Sequence, residues 1–157
     1  MKTLQIPFLI AFIFMYALVN VQAAPTATNP TTDKFNKYGL KATKTYTIDR
    51  FIEGVTSGDL KNLKNLLDDQ FQQTVSYNGR SLTYNKSEFL EILKMSQNIV
   101  MNCTTTYTIV EECDDLSIVK VSMNFPTFVK TSYVTMKPNK DDVWKITNVS
   151  TVYGAEA

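Results

Sequence analysis

The sequence predicts an α+β domain, in which three helices from the N-terminal half pack on a curved antiparallel sheet. In the first half of the chain, apolar residues recur at three- and four-residue steps, which is typical of amphipathic helices. In the second half, apolar and polar residues alternate in stretches rich in Thr, Val and Tyr, which is typical of antiparallel strands. Helices segregated to one side of such a sheet define the α+β class, and a sheet that curls over its helices leaves a concave pocket.

Residues 1–23 have the features of a secretory signal peptide. Lys2 precedes an apolar run from Ile6 to Val19, and Val21-Gln22-Ala23 supplies small residues for cleavage. The run has about 14 residues, whereas a membrane-spanning helix needs about 20. We therefore expect export to the periplasm or the extracellular space, and no stable membrane anchor.

The composition argues against several function classes. Removal of the signal peptide, which carries Lys2 and no acidic residue, lowers the formal net charge from +1 to zero. A neutral domain is a poor partner for nucleic acid, because phosphate binding needs a basic surface. The absence of histidine excludes Ser-His-Asp and Cys-His catalysis within one chain and argues against a zinc site. We therefore expect no nucleic acid partner, no metal, no cofactor and no assigned catalytic residue.

The two cysteines, Cys103 and Cys113, lie at the two ends of one predicted strand. Ten strand residues span about 33 Å, whereas a disulfide needs its Cα atoms within about 7 Å. We therefore predict two unpaired thiols.

The helices follow a linker. Residues 24–42 are rich in Pro and Thr and are predicted to be a disordered linker before a domain that spans residues 43–157. The first helix is predicted from Ile48 to Val55, and Ser57-Gly58 ends it. Asp59 is predicted to cap a second helix, whose apolar face is formed by Leu60, Leu63, Leu66 and Leu67.

A short hairpin and a third helix follow. Strands from Phe71 to Tyr77 and from Arg80 to Tyr84 flank Asn78-Gly79, a dipeptide that strongly favours a two-residue hairpin turn. The third helix is predicted from Lys86 to Met95, with Asn85 or Ser87 as its cap.

The rest of the chain is predicted to be four strands connected by turns. Their bounds are Asn102–Glu112, Leu116–Phe125, Phe128–Lys137 and Val143–Tyr153. Asp114-Asp115 and the segment 138–142 form polar turns between them, and Pro126 interrupts the chain after the second strand.

Three stretches resemble one known superfamily. They are Phe51-Ile52-Glu53-Gly54 running into Ser57-Gly58-Asp59, the segment 82–86, and the closing strand Val143-Trp144-Lys145-Ile146-Thr147-Asn148-Val149. Over about residues 45–153 the chain resembles the nuclear transport factor 2-like superfamily, in particular its small exported bacterial members of the SnoaL-like or lumazine-binding type. The signal sequence, the proline-threonine tail and Asn102-Cys103-Thr104-Thr105 resemble such proteins from the Bacteroidetes.

The resemblance implies a cone-shaped fold with a site between the sheet and the helices. The superfamily includes isomerases, dehydratases, cyclases, transport adaptors and binding domains, so the fold does not assign an activity. Five aromatic residues are the predicted lining of a ligand cavity, and the alternative is that they fill the core. They are Phe51, Tyr107, Phe125, Tyr133 and Trp144, with Asn124 and Arg80 as candidate polar anchors.

Two functions stay open. The favoured one is a non-catalytic domain that binds a small apolar or aromatic ligand, or a partner, in the cone cavity. The alternative is a proton-transfer isomerase acting on a hydrophobic carbonyl substrate, which requires a carboxylate buried beside a tyrosine hydroxyl. Asp49 and Glu53 are the acids of the first helix, where a solvated face is expected. A homodimer formed through the sheet is compatible with either function.

Overall fold

The computed structural model describes residues 42–155, so the predicted signal peptide and almost all of the predicted linker lie outside the described residues. The helices are α1 (Lys44–Ser57), α2 (Leu63–Leu66) and α3 (Lys86–Met95). The strands are β1 (Leu67–Tyr77), β2 (Arg80–Asn85), β3 (Thr104–Glu112), β4 (Ser117–Asn124), β5 (Phe128–Pro138) and β6 (Trp144–Ala155). None of the helices in this part of the chain has the length and hydropathy that crossing a membrane requires.

All six strands form one sheet in the order β2-β1-β6-β5-β4-β3. The neighbours pair antiparallel, as predicted, except that β1 and β6 run parallel. The expectation of an antiparallel sheet is therefore corrected to a mixed sheet. Turn residues determine hairpin pairing, but β1 and β6 meet over a long separation, where Gln73 and Thr151 are 78 residues apart. No local signal specifies such a pair.

Helix α1 is longer than predicted at its N-terminal end. The Thr43 hydroxyl accepts a hydrogen bond from the backbone N–H of Tyr46 at 3.2 Å and so caps the helix. The helix ends at Gly58, which has a φ of 71°. A Cβ atom at Gly58 would lie 2.8 Å from the Cα atom of Gln97. Glycine is therefore required there both by the backbone conformation and by the close approach of the segment after α3.

The predicted second helix is a single turn. Leu67, expected on its apolar face, already has extended backbone and pairs with Ile146 in the sheet. The carboxylate of Asp59 accepts a hydrogen bond from the backbone N–H of Lys61 at 3.0 Å and forms a local turn instead of a helix cap. Burial of Leu67 in the sheet therefore outweighs the helical spacing of the leucines.

The hairpin and α3 agree with the predictions. Asn78 and Gly79 have φ angles of 48° and 73°, as a two-residue turn requires. Asn85 caps α3 through a reciprocal pair of hydrogen bonds with Glu88, at 3.1 and 2.9 Å. Asn85 rather than Ser87 is therefore the cap.

The core lies between the concave face of the sheet and the helices. Ile48, Phe51 and Val55 of α1 and Phe89 and Leu93 of α3 pack with the inward-facing residues of the sheet. The backbone N–H of Trp144 donates to the carbonyl of Ala42 at 3.0 Å, which joins the segment before α1 to the start of β6. Cys103 and Cys113 are free thiols at the two ends of β3.

Candidate functional site

The concave face of the sheet has an apolar half and a polar half. In the apolar half, Val119, Val134 and Val149 lie side by side on three neighbouring strands, each at most 2% exposed. Two residues further along β5, the same face carries Ser132 beside Thr151, and then Lys130 beside Tyr153. The polar half is defined here as the concave-face residues Gln73, Lys130, Ser132, Thr151 and Tyr153.

Three members of the polar half form a buried hydrogen-bonded network. The hydroxyls of Ser132 and Thr151 lie 3.0 Å apart, and the amide of Gln73 donates to the Thr151 hydroxyl at 3.5 Å. Each of the three residues is at most 8% exposed. Buried polar groups are costly unless they are hydrogen bonded, so this network keeps polar atoms in a place where apolar side chains would be more stable.

Lys130 extends the polar half with a positive charge. The alternating burial of β5 places Lys130 on the same face as Ser132, between Met123 of β4 and Tyr153 of β6. Burial lowers the pKa of Lys130, and interaction with Cys103 partly opposes this effect. No carboxylate within residues 42–155 forms an ion pair with it.

An aromatic border, formed by the rings of Tyr77, Phe125, Phe128 and Tyr153, lies at the outer end of the polar half. Phe125 and Phe128 stack with ring centroids 4.5 Å apart, and the ring of Phe128 lies 5.9 Å from that of Tyr153. Tyr77 meets Tyr153 edge to face at 6.1 Å. Burial, and to a lesser extent Tyr84, raises the pKa of Tyr153, although its side chain is 40% exposed. This aromatic border therefore connects the buried network to the surface.

The structure does not bring the five predicted aromatic residues together. Phe51 is 1% exposed in the core, and Trp144 packs against the core near the Lys44 ammonium, which lies 4.5 Å from the centre of its ring. Tyr133 lies on the opposite face of the sheet, beside Lys120 and Ser150. Only Phe125 belongs to the aromatic border.

The remaining candidates lie elsewhere. Tyr107 lies opposite Val121 on the edge strand β3 and is 36% exposed. Asn124 and Arg80, the candidate anchors, are both exposed, and Asn124 faces away from the core.

The residues of the polar half were not recognised from the sequence, although part of the signal was present. Lys130 and Ser132 occupy the same phase of the β5 alternation as Val134 and Met136. Polar residues in the apolar phase of a strand indicate either a strand end or a site. Their neighbours Gln73 and Thr151 come from distant parts of the chain, so their grouping required the structure.

A second cluster lies between α1 and β3. Burial raises the pKa of the Asp49 carboxyl, the adjacent Arg50 lowers it and Glu53 raises it. Burial and the charge of Asp49 raise the pKa of the Tyr107 phenol. Arg50 forms an ion pair with Glu53, while its Nε atom is buried and has no hydrogen-bond partner in the described part of the chain. Asp49 is therefore partly buried near a tyrosine, whereas the sequence predicts a solvated position for it.

Two surface clefts complete the candidate sites. One of about 600 Å³ lies between the start of β1 and the β5–β6 turn, and one of about 400 Å³ lies beside the C-terminal end of α1. None of the five predicted aromatic residues lines either cleft. The larger cleft is lined by Lys64, Asn65, Leu67, Asp68, Asp69, Lys86, Asn139, Lys140 and Lys145. Within residues 42–155, no three acidic or cysteine side chains form a group that could hold a metal ion.

Comparison with solved structures identifies the fold. The chain is similar to an NTF2-like protein of unknown function from Silicibacter pomeroyi, with a TM-score of 0.58 and 16% identity over 71% of this chain and 92% of that chain. It is also similar to an NTF2-like protein from Methylobacillus flagellatus, with a TM-score of 0.58 and 11% identity over 75% of this chain and 100% of that chain.

A ketosteroid isomerase-like protein from Erwinia carotovora atroseptica gives a TM-score of 0.53 and 11% identity over 69% of this chain and 92% of that chain. No family model and no curated protein matches the chain. Sequence identities this low support a shared fold but not a shared activity. Helices packed on a curved, unclosed six-stranded sheet, together with these similarities, show that the chain has the NTF2-like α+β fold.

Proposed function

We propose that this chain is an exported, non-catalytic domain that binds a small aromatic or apolar ligand at the polar half of its concave face. The observation that carries the proposal is the buried network of Gln73, Ser132 and Thr151, which lies in the apolar phase of the sheet and is bordered by aromatic rings. Binding sites commonly combine apolar walls with a few convergent polar groups that orient the ligand.

The polar half and the aromatic rings that border it have different roles in binding. The rings of Phe125, Phe128 and Tyr153 offer apolar area, which contributes affinity when a ligand excludes water from it. The hydroxyls of Ser132 and Thr151 accept or donate hydrogen bonds and so select the orientation of the ligand. The polar half contains Tyr153 but no carboxylate, which favours binding over carboxylate-dependent proton transfer at this place.

Binding is tested by titrating the purified chain with the neutral fluorophore N-phenylnaphthylamine. We expect saturable fluorescence enhancement, which weakens about tenfold in the Phe128→Ala variant because the border loses a ring. Tyr133→Ala is the matched control, since it removes an aromatic ring from the opposite face of the same strand. Equal losses in the two variants would contradict the assignment of the ligand to the concave face.

Export is part of the same proposal and rests on the features of residues 1–23. Mass spectrometry of the protein recovered from secreting bacteria should find a chain that begins at Ala24 or Pro25. A cytoplasmic protein with an intact N-terminus would contradict it.

Proton-transfer catalysis is the second candidate, and the neighbouring Asp49 and Tyr107 favour it. A carboxylate with a raised pKa can accept a proton from carbon, and a phenol can hydrogen bond to the developing oxyanion. The test is conversion of a β,γ-unsaturated ketone to its conjugated isomer, followed by ultraviolet absorbance. Activity that is lost in Asp49→Asn and kept in Asp115→Asn would support this candidate, and absence of turnover would exclude it for that substrate.

A further inference from the structure

We propose that the ligand carries an anionic group, such as a carboxylate, which binds the ammonium group of Lys130. This inference rests on the function proposed above and specifies the chemical class of the ligand. Lys130 lies on the concave face between Met123 and Tyr153, one alternation step beyond the network residue Ser132. The side chain is therefore directed toward the same side of the sheet as the network and the core.

In the described part of the chain, Lys130 has no carboxylate as an ion-pair partner. The titratable groups that face it are the thiol of Cys103, from the segment before β3, and the phenol of Tyr153, from β6. Tyr84 of β2 interacts electrostatically with Tyr153. None of the ion pairs within residues 42–155 involves Lys130. Lys130 is partly buried. A charge removed from water is costly unless it is paired, so an anion supplied by a ligand would find a cation that is already partly desolvated on folding.

The spacing of the groups describes the ligand further. Lys130 and Ser132 are two strand residues apart, which places their Cα atoms about 7 Å from each other. The stacked pair Phe125 and Phe128 lies on the other side of Lys130 along the chain. A planar ring bearing a carboxylate or sulfonate would place its charge at Lys130 and its ring against these side chains. The class of ligand is therefore an aromatic or apolar acid.

The larger of the two surface clefts is the competing location for an anion, and it is called the basic cleft here because its lining includes Lys64, Lys86, Lys140 and Lys145. Lys86 of that cleft is already engaged, since its ammonium lies 2.9 Å from the carbonyl of Leu67 and 3.1 Å from a carboxylate oxygen of Asp69. Lys145 donates to the carbonyl of Asn65. The cleft also carries Asp68, and it offers no aromatic wall. These features favour Lys130 as the site for an aromatic anion.

The experiment compares two fluorescent probes that share one aromatic framework. Anilinonaphthalene sulfonate carries a negative charge, and N-phenylnaphthylamine is neutral. We expect the wild-type chain to bind the sulfonate about tenfold more tightly, the value of one charge-assisted hydrogen bond. Lys130→Met should abolish this preference, so that the two probes bind with similar affinity, while Lys130→Arg should keep it. Lys120→Met, on the opposite face of the neighbouring strand, is the matched control.

The outcomes separate the two levels of the proposal. If neither probe shows saturable binding, the proposed function is overturned, and this inference is overturned with it. Binding of both probes with equal affinity overturns only the inference. If the preference for the sulfonate survives Lys130→Met and is lost in Lys140→Met, the anion binds in the basic cleft, and this result also overturns the inference.

A pH titration of the wild-type chain keeps the inference testable if Lys130→Met does not fold. The preference for the sulfonate should disappear as the pH rises through the pKa of Lys130, below the ordinary lysine value of 10.5, while binding of the neutral probe stays constant. A preference that persists beyond that value contradicts the assignment to Lys130.

Discussion

The two halves of the concave face share strands and backbone pairing, yet they bury opposite kinds of side chain. In the apolar half, Val134 and Val149 are buried among apolar residues and belong to the hydrophobic core with α1 and α3. In the polar half, Ser132 and Thr151 are equally buried but are held by hydrogen bonds. Hydrophobic burial stabilises the first half, whereas the second half contributes little net stability. The comparison teaches that stability and candidate function occupy adjacent segments of the same strands.

The largest expected effect on stability comes from a substitution in the apolar half. Phe51→Ala should lower the free energy of unfolding by about 3–5 kcal/mol, because it leaves a cavity beneath α1. Urea denaturation measures the change. Phe125→Ala, which truncates a partly buried ring of the aromatic border, should cost clearly less and should instead weaken probe binding. Equal destabilisation by the two substitutions would remove the distinction between the halves.

A smaller effect is expected at the centre of the polar network. Thr151→Val removes the hydroxyl that both Ser132 and Gln73 contact, and it should cost about 2 kcal/mol because two buried polar groups lose a partner. Combining it with Ser132→Ala and Gln73→Leu should restore much of that stability, since no unpaired group then remains. Denaturation of the single and triple variants checks this. A triple variant less stable than the single one would mean that the network is a structural requirement.

Removal of the partly buried charge of Lys130 should stabilise the protein. Lys130→Met is expected to raise the free energy of unfolding by about 1 kcal/mol near neutral pH, because the folded state disfavours the ammonium. The unfolded chain binds this proton more tightly, so the cost is present below the folded pKa of Lys130. It declines as the pH rises toward 10.5, and the advantage of the variant should shrink with it. Chemical denaturation at several pH values tests this, and Lys120→Met should show no such gain.

The smallest effect concerns the cluster between α1 and β3. Asp49→Asn should stabilise the protein by about 0.3 kcal/mol near neutral pH, a value kept small because the side chain is only partly buried and solvent screens its charge. A carboxyl with a raised pKa favours the folded state below its unfolded value of 3.8 and loses that contribution as the pH rises through the folded pKa. The advantage of the variant should therefore appear as the pH rises above 3.8. A constant difference across this range would contradict the burial of Asp49.

Local features of the fold could be predicted from the sequence, and non-local ones could not. The turn at Asn78-Gly79 and the span of α3 follow from interactions between residues a few positions apart. The shortened α2 depends on Leu67 entering the sheet beside Ile146, which no local pattern encodes. The positions of the predicted site residues could not be predicted for the same reason. Aromatic residue type indicates apolar area but not the face of the sheet, so the sequence cannot distinguish the locations of Tyr133, Phe51 and Phe125.

The central position of β6 has a consequence for how the chain folds. This last strand joins the β2-β1 hairpin to the β5-β4-β3 meander, so neither part of the sheet is complete before β6 has been synthesised. Pairing between such distant segments is slow, because the loop between them must close before any contact forms. A nascent chain without β6 therefore exposes two strand edges and no finished core. The sheet therefore assembles only once β6 is available to pair with both β1 and β5.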